Sequence, residues 1–187
     1  MNTNAREAIL VAARNMVQLR GFSGLNVREL ADEVGIKAAS IYYHFSSKAD
    51  LGAAVARRYW EDGAVALQAI EAENPDPHEC LRRFPEIFRR SLESGNRLCL
   101  GSFMGAETHD LPEAITREVR SFADVNVAWL VRMLVAAGIA DAAGSGLRAE
   151  AMFAAIAGAQ LSAKTRADIA HFDALVATYR SSGLLPG

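Results

Sequence analysis

Residues 26–48, NVRELADEVGIKAASIYYHFSSK, contain the pattern from which the fold can be predicted. Asn26 is a residue type that caps helices, and Glu29 three positions later completes a capping box. The apolar residues that follow lie at i, i+3, i+4 and i+7 and share one helix face: Val27, Leu30, Ala31 and Val34. Gly35 then supplies the left-handed residue that commonly ends a helix.

A second short helix is predicted directly after this turn. Ile36, Ile41 and Phe45 lie four or five positions apart and would form its buried side. Two short helices joined by a turn that contains glycine make a helix-turn-helix.

The opposite side of the second helix carries side chains suited to the major groove of DNA. Lys37 can bond to guanine, and the methyl groups of Ala38 and Ala39 can touch the methyl groups of thymine. Tyr42 would also face the bases. The residues expected to meet phosphates are Arg28, Ser40, Tyr43, His44 and Lys48.

A purely structural interpretation of the same residues is that the two tyrosines are partly buried and the cations form an ordinary solvated surface. That interpretation suits any one of them. It explains the cluster less well, because two adjacent exposed aromatic side chains beside a tight turn serve no packing purpose.

This segment resembles the amino-terminal DNA-binding domain of the TetR family of transcriptional repressors. The resemblance covers roughly residues 5–60 and is carried by Gly21-Phe22, Val27-Arg28-Glu29-Leu30-Ala31, Val34-Gly35, Ser40-Ile41-Tyr42-Tyr43-His44-Phe45 and Ser47-Lys48. It implies an all-α protein with a three-helix DNA-binding domain at residues 1–50. Residues 51–187 would then form a helical domain that binds an effector and dimerises. The implied partners are a palindromic double-stranded DNA operator, a small-molecule effector and a second copy of the chain.

Composition and charge agree with two parts of different character. The chain has 187 residues, 51% of them hydrophobic, and a formal charge of −2. Residues 1–60 hold eight Lys or Arg against five Asp or Glu, whereas the remainder holds twelve against seventeen. A basic first part and an acidic second part fit a DNA-facing module joined to one that faces something else.

Targeting signals and disulfides are not expected. The polar amino terminus lacks the apolar core of a signal peptide, and Arg132 interrupts the longest apolar run. Cys80 and Cys99 are too few for a disulfide scaffold. The sequence therefore predicts a cytoplasmic protein that does not enter a membrane.

The rest of the chain shows helical periodicity. Helices are predicted over residues 4–20, over 48–73, through Leu81 and Leu92 with Pro85 inside, over about 98–108, from the capping arrangement Asp110-Leu111-Pro112-Glu113 to Gly138, and twice more after a loop at 141–146. The long helix that begins at Lys48 would link the two domains.

The last two helices are candidates for a dimer interface. They carry small residues, which let helices approach closely, and a stripe of larger ones: Ala151, Ala154, Ala155, Gly158, Ala159 and Ser162, then Phe172, Leu175, Val176 and Tyr179. The alternative is an intramolecular core. A dimer is preferred because a two-fold pair of helix-turn-helix modules reads two half-sites at a fixed spacing.

Catalysis is not predicted. The sequence has no phosphate loop, no H-E-x-x-H and no nucleophile elbow, and its four histidines are dispersed. We expect no metal and no cofactor. The competing interpretation is a small-molecule-binding helical protein with a vestigial helix-turn-helix and no regulatory role.

Cys99 is the residue that bears on the nature of the effector. Leu98-Cys99-Leu100 through Ala106-Glu107, Asp110-Leu111, and Gly158 through Lys164 are similar to the TetR subgroup typified by the N-ethylmaleimide-responsive, electrophile-sensing repressor. That resemblance implies a sensing role for Cys99, with Lys164 close to it. Simple packing of a buried thiol is the alternative.

A pocket between the helices of the second domain is expected in either case. Its candidate lining residues are mostly bulky and apolar, which favours an apolar or aromatic effector: Tyr59, Trp60, Phe84, Phe88, Cys99, Phe103, Met104, Trp129, Met133 and Lys164.

Overall fold

The computed structural model describes the backbone of residues 3–187 and the side chains of residues 5–187, and all the secondary structure there is helical. The ten helices are α1 (Thr3–Arg20), α2 (Val27–Val34), α3 (Ala38–His44), α4 (Lys48–Glu73), α5 (Pro77–Arg83), α6 (Pro85–Glu93), α7 (Leu100–Ala106), α8 (Glu113–Ala136), α9 (Ser145–Arg166) and α10 (Ile169–Ser181). The predicted all-α class is confirmed. None of these helices has an apolar stretch that would carry it through a bilayer.

The chain forms two compact units. The first comprises residues up to Glu61 together with Leu100–Phe122, and the second comprises Asp62–Cys99 and Ala123–Gly187. The first two residues of the predicted DNA-binding domain lie outside the described residues. The predicted border at residue 50 separates two functions, whereas these units are defined by packing, so that border stays a prediction.

The start of α2 is capped by Asn26 as predicted, but the Glu29 side chain does not take part in the cap. The Asn26 side chain accepts from the backbone N–H of Arg28 at 2.9 Å and of Glu29 at 3.3 Å. Glu29 does not complete a capping box. Its carboxylate pairs with Arg20 at 2.6 Å, and the Asn26 N–H donates to the Met16 sulfur at 3.4 Å. The prediction was wrong on this point because a cation at the end of α1 competes for the carboxylate.

The turn after α2 depends on glycine for its backbone conformation. Gly35 has φ of +75°, and its N–H bonds back to the carbonyls of Ala31 and Asp32. A Cβ at this position would meet nothing within 4 Å, so the left-handed φ alone requires glycine. α3 follows after two residues, and Ile41 and Phe45 are 1% and 2% exposed. The predicted helix-turn-helix is confirmed.

The core of the first unit uses more of the chain than residues 1–50. Apolar side chains of α1 to α4 form it together with residues from α7 and α8: Ile9, Ala13, Val17, Leu30, Ile41, Leu51, Val55, Leu100, Met104 and Ile115. Gly52 lets α4 approach the start of α8, because a Cβ at position 52 would lie 2.6 Å from side-chain atoms of both Ile115 and Phe22. Residues 100–122 therefore belong structurally with the helix-turn-helix.

The middle of the chain differs from the predicted helices at Pro85 and at Pro112. Pro85 divides the predicted helix in two, and Phe84 lies between α5 and α6. Proline at the first position of a helix is favourable, because that position needs no N–H donor. Farther on, Pro112 stands before α8, and its carbonyl accepts from Ile115 at 2.9 Å and from Thr116 at 3.1 Å.

The second unit is built around aromatic side chains and α9. The Phe84 and Trp129 rings stack with centroids 5.7 Å apart, and Phe88 lies 5.5 Å from Phe84. α9 packs against α6 and α10. Three residues that the sequence assigned to a dimer interface are buried within this unit instead: Ala159, Phe172 and Val176.

A buried carboxylate joins α4 to α8 inside the first unit. Glu118 accepts from Arg57 at 2.5 Å and from the Trp60 indole N–H at 2.9 Å, and its side chain is 9% exposed. The hydrogen bond from Arg57 lowers the pKa of Glu118; burial opposes this effect, and the bond from Trp60 adds to it. The charged form is therefore favoured by folding.

We expect Glu118→Gln to destabilise the protein at pH 7 and not at low pH. Because the folded-state pKa is lowered, the stabilisation is present above the ordinary carboxyl pKa of about 4.3 and is lost as the pH falls through the folded value. The expected loss at pH 7 is about 1 kcal/mol, less than for a fully buried bond to a charged group because Arg57 is 60% exposed. Thermal unfolding from pH 7 down to pH 3 measures it. Glu113→Gln removes an exposed charge from the same helix as a control, and a deficit independent of pH would contradict the assignment.

Candidate nucleic-acid interface

The outward edge of α3 carries the residues predicted to read DNA. Ile41 and Phe45 fix the orientation of this seven-residue helix because both are buried. Tyr42 is 52% exposed and Tyr43 is 74% exposed. Among the other predicted contacts, the exposed residues are Arg28, Lys37 and Ala39, and the half-buried ones are Ala38, Ser40, His44 and Lys48.

A groove lies along each side of α3. The residues that line the first are Ala5, Ile36, Lys37, Ala39, Ser40, Tyr43 and His44. Those that line the second include Arg20, Asn26, Arg28, Tyr42 and Lys48. A helix in the major groove has a phosphate backbone on both sides, so cations along both grooves are suitably placed for phosphates.

Lys48 is held in place by the turn between α1 and α2. Its Nζ donates to the Ser23 carbonyl at 3.1 Å and lies 5.0 Å from the centre of the Phe22 ring. An ammonium group has three N–H donors, so the bond to Ser23 is compatible with a second bond to a phosphate. The cation is pre-positioned beside α3.

Two cations of this surface were missed by sequence reasoning. The Arg6 guanidinium lies over the Phe45 ring at 5.1 Å, next to the end of α3. Arg20 lines the second groove while it pairs with Glu29. Both belong to α1, and no local motif connects them with α3. The only available signal was the excess of basic residues in the first sixty.

Comparison with known proteins agrees with this geometry. Residues 9–55 match the sequence model of the family described as bacterial regulatory proteins, tetR family. The amino-terminal domain is therefore similar to the helix-turn-helix domain of that family, as the sequence predicted.

Individual relatives extend the TetR likeness beyond this domain. The HTH-type transcriptional repressor BdcR of Escherichia coli (strain K12) is 33% identical over 113 residues, which are 59% of this chain and 56% of BdcR. The match thus spans about half of that relative. A TetR transcriptional regulator from Legionella pneumophila has a TM-score of 0.89 at 28% identity, over 97% of this chain and 99% of its own.

The reduced form of E. coli NemR has the same fold, with a TM-score of 0.83 at 21% identity over 95% of this chain and 96% of its own. At this identity the likeness shows the fold alone. The narrower similarity of this chain to the electrophile-sensing subgroup therefore stays a prediction.

The predicted effector residues divide between the two units. In the first, Tyr59 and Met104 border a crevice that has no room for a water molecule, and Tyr59 packs 5.4 Å from Phe122. Trp60 is bonded to Glu118, and Phe103 is half-buried on α7. In the second unit Phe84, Phe88, Trp129 and Met133 are buried at 8% exposure or less. Their role in binding an effector stays a prediction.

Cys99 and Lys164 are tied to the same stretch of chain in the second unit. The buried Gln160 accepts from the Cys99 backbone N–H at 3.0 Å and donates to the Phe88 carbonyl at 2.6 Å. One turn later Lys164 donates to the Asn96 carbonyl at 3.1 Å, and the Asn96 amide donates to the Lys164 carbonyl at 3.0 Å. Cys99 is 2% exposed and precedes α7 rather than lying inside it.

Gln160 was missed as a contact of Cys99, although a glutamine within a run of small apolar residues signals a buried polar contact. No group of three His, Cys, Asp or Glu side chains suited to a metal ion occurs in the part of the chain that is described.

We expect Lys48→Ala to weaken DNA binding about equally on all sequences. It removes one phosphate contact, so the slope of log affinity against log salt should flatten by about one unit. Titrations of operator and unrelated DNA at several salt concentrations measure both effects. Arg90→Ala removes an exposed cation from the second unit and is the control. A changed sequence preference with an unchanged salt slope would refute the phosphate assignment.

Proposed function

We propose that this protein is a TetR-type transcriptional regulator that represses its target genes by binding a palindromic operator as a homodimer. A small apolar, aromatic or electrophilic molecule would release it from DNA. The observation that carries the proposal is the exposed edge of α3, held outward by the burial of Ile41 and Phe45. The name of the relative BdcR, a transcriptional repressor, supports the direction of regulation.

Within this proposal the α3 residues divide into two kinds of contact. Lys37, Ala38, Ala39 and Tyr42 face the base edges and give sequence preference. The remaining predicted residues meet phosphates and set the position of the helix on the duplex: Arg28, Ser40, Tyr43, His44 and Lys48.

The competing interpretation, a small-molecule carrier with a vestigial helix-turn-helix, fits the exposed surface of α3 less well. A helix-turn-helix without a nucleic-acid partner gains nothing from a tyrosine that is 74% exposed beside a second exposed tyrosine. The cations along both sides of α3 add to this argument.

The proposed dimer uses an uncovered stripe along α9. Its members lie three or four residues apart and are all exposed: Leu147, Ala151, Ala154, Gly158, Leu161 and Thr165. Leu147 is 81% and Leu161 54% exposed, although both are large and apolar. Spacing of this kind places a continuous seam on one helix face, and small residues within it allow close approach of a second helix.

Release from DNA follows from linkage. An effector lowers operator affinity only if it binds better to a conformation in which the two α3 helices cannot both reach their half-sites. The aromatic residues of the second unit are packed against each other, so an effector there has to displace part of this packing. DNA and effector then weaken each other's binding by the same factor.

Footprinting upstream of the protein's own or a neighbouring gene tests the function. The unmodified protein should protect a two-fold symmetric site with half-sites about one helical turn apart. Gly158→Arg should be monomeric in solution and should lose this protection. A Cβ at Gly158 meets nothing within 4 Å, and replacing glycine within a helix favours the helix by up to about 1 kcal/mol, so the monomer should fold.

Gly146→Arg is the matched control for the dimer, because it places the same side chain into equally open space on the same helix outside the stripe. Sedimentation measures the mass of both variants. A dimeric Gly158→Arg protein would refute the interface. An absence of any protected site would refute the function.

We expect Cys99→Ser to abolish release from DNA by a mild electrophile, whereas Cys80→Ser retains it. Cys80 is a suitable control because it is also buried, its thiol donates to the Asn74 carbonyl at 3.2 Å, and burial raises its pKa. Mass spectrometry should find the adduct on Cys99. Equal release of the Cys99→Ser and unmodified proteins would assign Cys99 to packing and the effector to non-covalent binding.

A further inference from the structure

The turn between α1 and α2 is hydrogen-bonded to a carboxylate from a distant part of the sequence. Glu107 follows α7 and accepts from the Phe22 backbone N–H at 3.1 Å. Gly21 has φ of +74°, and a Cβ on it would overlap the Glu107 carboxylate. The missing side chain at position 21 thus serves both the turn and the approach of the carboxylate.

The same turn holds Lys48 from its other side. The residue that follows Phe22 supplies the carbonyl that accepts from Lys48 Nζ, at 3.1 Å from Ser23. The Phe22 ring lies 5.0 Å from the same nitrogen. Phe22 therefore receives the carboxylate at its backbone and presents its ring to the ammonium group.

We propose that Glu107 is a positioning residue of the DNA interface, which acts by fixing the Phe22–Ser23 turn and through it the Lys48 ammonium group. The inference rests on the proposed function and adds a residue that does not itself meet DNA. An ammonium group on a four-carbon chain samples many rotamers, so one held by a carbonyl and a ring loses less freedom when it meets a phosphate.

The carboxylate is itself well placed for this task. The Glu107 N–H donates to the Met104 carbonyl at 3.0 Å, and the Glu107 carbonyl accepts from the Asp110 N–H at 2.9 Å. These bonds fix its backbone between α7 and α8. Movement of this segment would reach Lys48 without any change in α3.

Charge and position predict opposite effects of removing Glu107, and the test uses this difference. Loss of a negative charge alone strengthens binding to DNA. Loss of the turn's support weakens it. We expect Glu107→Ala to weaken operator binding about three- to tenfold and to flatten the salt slope, as for a partly lost phosphate contact. Glu107→Gln keeps an acceptor oxygen for Phe22 and should bind at least as tightly as the unmodified protein.

A double-mutant cycle with Lys48→Ala separates positioning from general structural damage. In the Lys48→Ala background, Glu107→Ala should not weaken operator binding further, because the group it positions is absent. Glu113→Ala removes an exposed carboxylate from α8 and controls for charge. Thermal melting of every variant tests whether the DNA-binding domain remains folded.

Equal weakening by Glu107→Ala in both backgrounds, or tightening by it in the unmodified background, would overturn the inference while the proposed function stands. Failure of the unmodified protein to bind any operator would overturn both.

Discussion

Burial of Ile41 and Phe45 is the constraint on which the rest of the site depends. A helix of seven residues has too little backbone hydrogen bonding to persist alone, so α3 exists because Ile41 and the residue that follows the helix, Phe45, are taken into a core. Those two contacts also fix its rotation about its own axis. Tyr42 and Tyr43 are turned outward as a direct result, since on a helix they lie about 100° and 200° around from the buried Ile41.

The parts of the fold that could be predicted from the sequence are those with local causes. Gly35 ends α2 because a left-handed residue is needed there, and Asn26 begins it with a side chain that reaches two amides. The long α4 was predicted over its whole length, since no proline interrupts residues 48–73 and Pro75 and Pro77 follow directly after it. Each of these signals lies within a few positions of the structure it determines.

The parts that could not be predicted depend on residues far apart in the chain. Glu29 was expected to cap α2 and pairs instead with Arg20, because packing brings the end of α1 beside it. Gln160 reaches Cys99 across sixty-one positions, and Arg6 lies over Phe45 from the first described turn of α1. Composition predicted a basic first part. It could not predict which cations the fold gathers along α3.

The largest difference between expectation and structure is that the helix-turn-helix does not end with the first sixty residues. Residues 100–122 supply Leu100, Met104 and Ile115 to its core, and two glycines allow the approach, one under Glu107 and one under Ile115. The chain therefore passes between the two units three times, within α4, directly after Cys99 and within α8. A displacement of the backbone near Cys99 has a covalent path into that unit besides the long helix. Sequence reasoning assigned the mechanical link to α4 alone because that helix is long enough to leave the DNA-binding domain and run into the second domain. Residues 100–122 add a further covalent connection, and they include the carboxylate that accepts from the turn beside Lys48.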